Sequence, residues 1–290
     1  MKDCIERLRT VFTDYAQGRA HNQPRRRLTM ESGAVLHQLA GGWGKYFGAK
    51  IYSTHVKYGA NFTVLLYDAE TARPLARFEA NALGQIRTGA VCGLAADYLA
   101  PTGRPLTVGC IGSGFQAHSQ LVALAAVRPL GAIRVWSRND QKRAAFASEM
   151  SEALGQPVEA AESASAALEA ADITVTATWA KDPVLTSSDV TPGSLVLAMG
   201  SNNPQRRELP GDLVTSSFVV VEDQEACRIE AGDLLLAFSN DDWDNTVELR
   251  ALVTDPGTAI DQRGNRTTVF KSVGLGLEDI AAASLIYERA

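Results

Sequence analysis

The sequence predicts an α/β protein in which a doubly wound parallel sheet is joined to a second, smaller α/β domain. Over residues 105–274, short and continuously apolar runs alternate with helical segments, a pattern typical of parallel strands covered by helices on both faces. A glycine-rich turn separates the first of these runs from a helix start. The first hundred residues lack this alternation and are rich in β-formers. We therefore expect one domain at residues 105–274 and another at 1–104 plus 275–290.

The composition is that of a globular protein without a nucleic-acid or membrane partner. The 290 residues are 46% hydrophobic and 21% charged, with a formal net charge of −5. A chain of this sign lacks the basic face that nucleic acids and anionic membranes require. No apolar run approaches the ~20 residues of a membrane span, and the first residues lack the apolar core of a signal peptide. We expect a cytoplasmic protein.

Cysteine and histidine spacing gives no sign of a disulfide framework or a metal site. The four cysteines, Cys4, Cys92, Cys110 and Cys227, are isolated from one another. The four histidines show no H-x-H or H-x-x-x-H pairing. The sequence therefore predicts buried thiols and no metal.

The smaller domain is predicted to combine a sheet with two helices. β-Branched and aromatic residues in Lys50–Tyr58 and Asn61–Asp68 predict two strands around a glycine turn, with residues 77–78 extending the sheet. Helices are expected over Gly89–Ala100 and Leu277–Ala290. Because the last helix has apolar positions that need a partner surface, we expect it to return to the N-terminal part.

The glycine-rich turn follows the apolar run LTVGCI and continues as GSGFQA. Gly112 permits the tight turn, Gly114 lets the backbone approach a pyrophosphate, and Ala117 leaves room for the helix to pack. A G-x-G-x-x-A match alone is weak, but the helix that follows and the strand Ile133–Trp136 complete a βαβ unit. The segment therefore predicts a Rossmann-type nucleotide site at a helix N-terminus.

The end of the second strand indicates which dinucleotide is bound. An acidic side chain there suits the ribose of NAD, whereas an arginine suits the additional phosphate of NADP. This chain has Ser137 and Arg138, which favour NADP(H). Asp140 follows two residues later and leaves NAD(H) open.

Three further buried strands are predicted in the parallel sheet. They are Asp172–Thr176 after an alanine-rich helix at 163–171, Leu195–Met199 after a Pro-Gly turn, and Phe218–Val221. Thr178 and Ser201 follow the carboxyl ends of two of these strands, where open α/β sheets bind their ligands.

Five segments, in order along most of the chain, resemble the ornithine cyclodeaminase/mu-crystallin family. They are LGQIRTGA (83–90), GSGFQA (112–117), VTAT (175–178), MGS with REL (199–209) and FKSVG (270–274). The resemblance implies a homodimer with a substrate-binding and dimerisation domain and an NAD(P)-binding Rossmann domain. Family members act on a carbon that bears an amino or imino group next to a carboxylate. They include cyclodeaminases, alanine dehydrogenases, ketimine and pyrroline-2-carboxylate reductases, and non-enzymatic crystallins.

The resemblance also implies which residues bind the small amino or imino acid substrate. Its carboxylate positions match Arg87, Lys50 and an arginine after Pro24, best aligned as Arg26 between two further arginines. Two guanidiniums and an ammonium hold an anion by charge-assisted hydrogen bonds. Val273 is implied as a further substrate-binding residue.

The cofactor positions that the resemblance implies lie on both sides of the glycine-rich turn. They are Thr88, Gly112, Ser113, Gly114, Phe115, Gln116, Ser137, Arg138, Thr178, Met199, Gly200, Ser201 and Ser272.

One departure from the family pattern bears on the chemistry. At one catalytic position, cyclodeaminases and several dehydrogenases of the family carry an aspartate, and this chain has Asn202 there. An amide has no proton equilibrium near neutral pH and cannot act as a base. The sequence thus favours an NADPH-dependent reductase of a small 2-imino acid, with Lys50 or a bound water as proton source.

Two alternatives stay open at the level of sequence. One is oxidative deamination or cyclodeamination of an amino acid, with Asn202 orienting water. The other is a crystallin-like protein that binds NADPH without turnover, which the presence of all three cations disfavours.

Overall fold

The computed structural model describes all 290 residues, and these divide into two compact units. The antiparallel unit contains Asp3–Thr88 and Gly274–Ala290, and the parallel unit contains Gly89–Val273 together with Met1–Lys2. In chain order the elements are α1 (Lys2–Ala16), β1 (Ala20–Thr29), β2 (Val35–Trp43), β3 (Tyr46–His55), β4 (Gly59–Asp68), β5 (Pro74–Glu79), α2 (Asn81–Leu99), β6 (Leu106–Ile111), α3 (Phe115–Val127), β7 (Leu130–Trp136), α4 (Asp140–Leu154), β8 (Glu159–Ala160), α5 (Ala164–Leu168), β9 (Ile173–Thr176), β10 (Leu195–Ala198), α6 (Gly211–Ser216), β11 (Phe218–Val221), α7 (Gln224–Glu230), α8 (Gly232–Leu235), β12 (Val247–Glu248), α9 (Leu249–Thr254), α10 (Pro256–Asp261), β13 (Thr268–Lys271) and α11 (Gly276–Tyr287).

The division between the units differs from the boundary expected after residue 104. It falls inside helix α2, between Thr88 and Gly89. Gly89 explains why the second half of the helix belongs to the parallel unit, since a Cβ there would lie 2.4 Å from the carbonyl oxygen of Ser119 on α3. Only glycine allows so close an approach of two helices.

The antiparallel unit is a five-stranded sheet in the order β1-β2-β3-β4-β5. One face of this sheet packs against α11, whose residues 276–284 are all buried. Gly41 on β2 and Gly276 on α11 permit this packing, because a Cβ on either would come within 2.5 Å of the partner's backbone. Strands β1 and β2 were not predicted from the sequence, since β1 is a polar edge strand and β2 contains two glycines.

The parallel unit confirms the predicted fold class. Its eight parallel strands have the order β12-β11-β13-β10-β9-β6-β7-β8, with β6 in the interior of the sheet. The strands β9, β10, β11 and β13 are buried at every position, as continuous apolar runs predict. The chain proceeds from β6 towards β7 and later returns on the other side at β9, so the order reverses beside β6. Ligands of such sheets bind at this reversal, at the carboxyl ends of the strands.

No helix of the structure combines the length and the apolar character that crossing a lipid bilayer requires. All four cysteines are buried and unpaired by disulfides.

Candidate functional site

A buried cluster of charged side chains lies in the antiparallel unit. Lys50 is at the middle of β3, and its Nζ is 3.1 Å from Oδ1 of Asp279 on α11. Arg87 on α2 donates from Nε to the same oxygen at 2.9 Å and from one terminal nitrogen to Glu278 at 2.9 Å. The Lys50 and Arg87 side chains are only 5% and 6% exposed, and both acids are fully buried. The structure thus brings the two predicted cations together around a shared carboxylate.

The third cation of this cluster is Arg25, and not Arg26 as the alignment of motifs predicted. The register of β1 against β2 shifts between Gln23 and Arg26, so the strand contains an extra residue there. Such a bulge interrupts the alternation of side chains. Arg26 is consequently exposed and opposite Gln38, whereas Arg25 is 6% exposed and donates to the carbonyl oxygen of Gly274 at 3.2 Å.

The electrostatics of the cluster suit one anion. Arg25, Lys50 and Arg87 outnumber the two carboxylates of Glu278 and Asp279 by a single positive charge. Burial lowers the pKa of the Lys50 ammonium to about 8, with Arg87 and Arg25 acting in the same direction and Asp279 opposing them. A monoanionic carboxylate would neutralise the excess charge.

Aromatic rings border the cations on the same face of the sheet. His37, Tyr52 and Phe62 are paired across β2, β3 and β4, with ring centroids 4.2 Å and 4.8 Å apart. The Nζ of Lys50 lies 5.6 Å from the rings of both Tyr52 and Phe62. Burial, reinforced by Arg27 and Arg25, lowers the pKa of His37 to about 4, so this ring is neutral. An uncharged, flat wall of this kind suits the apolar part of a small molecule.

The glycine-rich turn in the parallel unit has the geometry of a phosphate-binding loop. Gly112 has φ of 120°, and a Cβ there would lie 2.5 Å from the carbonyl oxygen of Ala177. Gly114 has nothing within 4 Å of such an atom, which leaves its outer side open. No side chain caps α3, whose N-terminal end follows directly after this turn, and helix N-termini favour anions. These observations fit a dinucleotide pyrophosphate.

The hydroxyl of Ser113 donates a hydrogen bond of 2.8 Å to the hydroxyl of Ser137, which connects this loop to the end of β7. Arg138 is exposed there. A second arginine, Arg143 on α4, donates to the carbonyl oxygen of Ser137 at 2.7 Å and pairs with Asp140 at 2.9 Å. Two guanidiniums therefore lie near the end of β7, of which only Arg138 was predicted from the sequence.

Phe115 and Gln116 occupy the first turn of α3, where Phe115 is 57% exposed. The predicted residue Thr88 is buried in α2, and its hydroxyl donates to the carbonyl oxygen of Gly84 at 2.8 Å. It belongs to the antiparallel unit, unlike the other predicted cofactor residues.

The remaining predicted cofactor residues lie at the carboxyl edge of the parallel sheet, where buried carboxylates hold them. Thr178 donates its hydroxyl to Glu208 at 2.7 Å, and Gly200 donates its N–H to the same side chain at 2.7 Å. Ser272 donates to Glu222 at 2.6 Å, and the N–H of Val273 donates to Glu222 at 3.1 Å.

Met199 is buried, with its sulfur 2.9 Å from that of Cys92. Ser201 is 4% exposed and donates to the carbonyl oxygen of Arg206 at 2.8 Å. Asn202 follows it in a loop and is partly exposed. The hydroxyls at these strand ends are thus already oriented by the protein.

Four acids that contact the predicted residues were not predicted as site residues from the sequence. Glu278, Asp279, Glu208 and Glu222 are all fully buried. Glu278 and Asp279 could have been identified, because they interrupt an apolar segment. Acids that are buried in such a segment are almost always paired with cations or hydrogen-bond donors. Arg25 and Arg143 could not be distinguished from surface arginines by spacing alone.

Comparisons with known proteins show which family this chain resembles over its whole length. A sequence model of the Ornithine cyclodeaminase/mu-crystallin family matches residues 1–290. A Delta(1)-pyrroline-2-carboxylate reductase of Bacillus thuringiensis subsp. konkukian is 36% identical over 237 residues, covering 79% of this chain and 71% of the relative. The ketimine reductase mu-crystallin of Rattus norvegicus is 33% identical over 227 residues, covering 78% and 68%.

A solved structure is similar over the whole chain. It is the Delta(1)-pyrroline-2-carboxylate reductase of Thermococcus litoralis in complex with NADH and L-proline, with a TM-score of 0.92, 30% identity and coverage of 100% of this chain and 93% of that one. Together with the family model, this likeness extends the resemblance from short motifs to the complete sequence and fold. The chain belongs to the ornithine cyclodeaminase/mu-crystallin family.

Proposed function

We propose that this chain is an NAD(P)H-dependent reductase of a small 2-imino acid of the ketimine or pyrroline-2-carboxylate type. The observation that carries the proposal is the buried cluster in which Lys50 and Arg87 share Asp279 and, with Arg25, retain one positive charge in excess. A cluster of this charge suits the carboxylate of an imino acid. The similar Thermococcus litoralis enzyme holds NADH and L-proline, a cyclic amino acid with one carboxylate.

The reaction adds a hydride and a proton across a carbon–nitrogen double bond. NAD(P)H, when bound, supplies the hydride that forms the new C–H bond. Arg25 and Arg87 hold the carboxylate through charge-assisted hydrogen bonds. This orientation contributes to the rate because it fixes the imine carbon for attack.

Lys50 supplies the proton to the nitrogen. Its pKa, lowered by burial to about 8, keeps the ammonium form dominant at neutral pH and makes proton donation easier than from an ordinary lysine. Asn202 has no such proton and takes part only by hydrogen bonding. Because an amide cannot remove a proton from an amine or from water, the site favours imine reduction over cyclodeamination.

NADPH is the preferred cofactor in this proposal. Arg138 and Arg143 both stand at the end of β7, and Ser137 adds a hydroxyl. Two guanidiniums match the charge of a ribose phosphate. NADH, which the Thermococcus litoralis relative holds, is the alternative.

The proposal includes a homodimer formed through the antiparallel unit. The face of the sheet opposite Lys50 carries Phe47, Ile51, Leu65 and Tyr67, all partly or largely exposed. An apolar sheet face of this kind is typical of an interface with a second copy. A cytoplasmic location is also proposed, supported by four free buried thiols and no disulfide.

The test begins with thermal-shift titrations of NADPH and NADH, followed by assays of imine reduction and amino acid oxidation at the reduced-nicotinamide absorbance. We expect binding of NADPH and reduction of pyrroline-2-carboxylate in preference to a dicarboxylic imine. Ammonia release from amino acids without imine reduction would support a deaminase instead. Tight NADPH binding without turnover would support a crystallin-like binder.

A matched pair of variants tests the substrate pocket itself. Arg25→Ala should raise the KM for the imino acid, because the buried guanidinium is part of the cluster. Arg26→Ala, one residue away on the opposite face, should leave it unchanged. The reverse outcome would restore the assignment of Arg26 and contradict the bulge.

A further inference from the structure

One buried side chain joins the carboxyl ends of β9 and β10. Oε1 of Glu208 accepts hydrogen bonds from the backbone N–H of Thr178 at 2.6 Å and from its hydroxyl at 2.7 Å. Oε2 accepts from the N–H of Gly200 at 2.7 Å and from the hydroxyl of Thr176 at 2.9 Å. Glu208 is 0% exposed. A single carboxylate therefore satisfies four donors from two adjacent strand ends.

The backbone that carries Glu208 is itself held in place. Oδ1 of Asp233 accepts from the N–H groups of Glu208 at 2.6 Å and Leu209 at 3.0 Å. Lys271 pairs with the other oxygen of Asp233 at 2.7 Å and donates to the carbonyl oxygen of Ser201 at 2.6 Å. Because Asp233 and Lys271 are also fully buried, the carboxylate has little freedom to move.

The fit around Glu208 is close. A Cβ on Gly200 would lie 2.2 Å from the carbonyl oxygen of Thr178 and 2.4 Å from Oε1 of Glu208. Backbone N–H groups can only donate, so each oxygen of Glu208 must offer them a lone pair. Burial and the nearby Asp233 raise the pKa of Glu208 above its ordinary value, although Lys271 and the hydrogen bonds from Thr178 oppose the rise.

The strand order indicates what this arrangement positions. The glycine-rich loop follows β6, the ribose-selecting residues follow β7 on one side, and Thr178 and Gly200 follow β9 and β10 on the other. A dinucleotide with its pyrophosphate on the loop and its adenosine beside β7 extends its nicotinamide half towards β9 and β10.

We propose that Glu208 is a positioning residue for the nicotinamide half of the cofactor, which sets the relative placement of Thr178 and Gly200. This inference rests on the proposed reductase function. Glu208 does not touch the reacting atoms and acts through the two strand ends.

The test compares the affinities of NADPH and of 2′-phospho-ADP-ribose, which lacks the nicotinamide, by calorimetry. Glu208→Gln keeps the size of the side chain but turns an amide N–H₂ towards a backbone donor. We expect NADPH to bind about 10- to 100-fold more weakly, with kcat reduced, while the affinity of the fragment changes less than about twofold.

Asp172→Asn is the matched control. Asp172 accepts from the N–H of Thr107 at 2.9 Å and pairs with Arg104, so it connects β9 to β6 at the opposite, amino edge of the sheet. This variant should lower the melting temperature without changing the ratio of the two affinities.

Glu208→Asp retains the charge but is one methylene shorter. It should change the ratio of the two affinities in the same direction as Glu208→Gln, to a smaller extent.

Equal weakening of NADPH and the fragment, or no weakening of either, would overturn the positioning role. Failure of both Glu208 variants to fold would assign the carboxylate to stability alone and would also overturn it. If the unmodified protein bound neither NADPH nor NADH, the reductase proposal and this inference would fail together. If it bound and reduced the imine while the variants kept the affinity ratio, only this inference would fail.

Discussion

Replacement of Arg87 tests most directly whether the buried cluster binds the substrate, as proposed. Arg87 is 5% exposed and makes two charged hydrogen bonds, each 2.9 Å long, to Asp279 and Glu278. Arg87→Ala removes the excess positive charge of the cluster, leaving Arg25 and Lys50 against two acids. Arg87→Lys keeps the charge but loses the planar fork that serves both acids.

The magnitude follows from the burial of the partners. Loss of one member of a buried, hydrogen-bonded charge pair costs about 2–4 kcal/mol in binding. Applied to the substrate carboxylate, this lowers kcat/KM for the imino acid by about 30- to 1,000-fold. Most of the loss should fall on KM, because the carboxylate is bound equally in the ground state and the transition state. Arg87→Lys should lie between the alanine variant and the unmodified protein.

Steady-state reduction of pyrroline-2-carboxylate with saturating NADPH measures this effect. The two buried acids also lose a partner, so the melting temperature and NADPH affinity of each variant must be recorded as controls. A folded Arg87→Ala variant that binds NADPH normally, and whose kcat/KM falls less than twofold, would refute the assignment of this cluster to the substrate.

Three further predictions concern titration and cofactor choice. The kcat/KM for imine reduction should decline above pH 8, because Lys50, with its pKa of about 8, no longer carries the proton to be donated there. Lys50→Arg should move this alkaline decline of the pH profile to higher pH. A decline at the same pH in the variant would exclude Lys50 as the proton donor. The pKa of His37 falls from 6.5 to about 4 on folding, so between these pH values His37 is protonated in the unfolded chain but neutral in the folded one. The free energy of unfolding should therefore decrease as the pH falls from 6.5 to 4, by up to about 3 kcal/mol. His37→Phe should flatten that decrease in urea titrations, and an equally steep decrease would contradict the assignment. Arg143→Ala should weaken NADPH binding about tenfold and NADH binding less than twofold, whereas equal changes would separate Arg143 from the ribose phosphate.

The strands and the glycine-rich turn of the parallel unit could be predicted from the sequence because the local residue pattern agrees with the burial that the fold imposes. Buried strands appear as continuous β-branched runs, and β9, β10 and β11 begin and end within one residue of their predicted bounds. The glycine-rich turn likewise has its conformation determined locally, since the φ of 120° at Gly112 requires glycine.

The antiparallel unit was less accessible because its decisive features arise from packing. The polar strand β1 exists through its pairing with β2, and the bulge that turns Arg25 inwards depends on that register. The sequence HNQPRRR contains no sign of which arginine is buried. The identity of the third cation therefore follows only from the pairing of the two strands.

The buried acids show how charge balance and specificity are connected in this protein. Three cations brought together without compensation would repel one another, and their desolvation would destabilise the fold. Glu278 and Asp279 offset that cost, but they also reduce the net charge of the cluster to a single positive charge, which one carboxylate would neutralise. In the proposed reductase, the same residues that make the cluster compatible with folding would limit the substrate to a monoanion. A dicarboxylic substrate would require an additional cation in place of the neutral rings of His37, Tyr52 and Phe62.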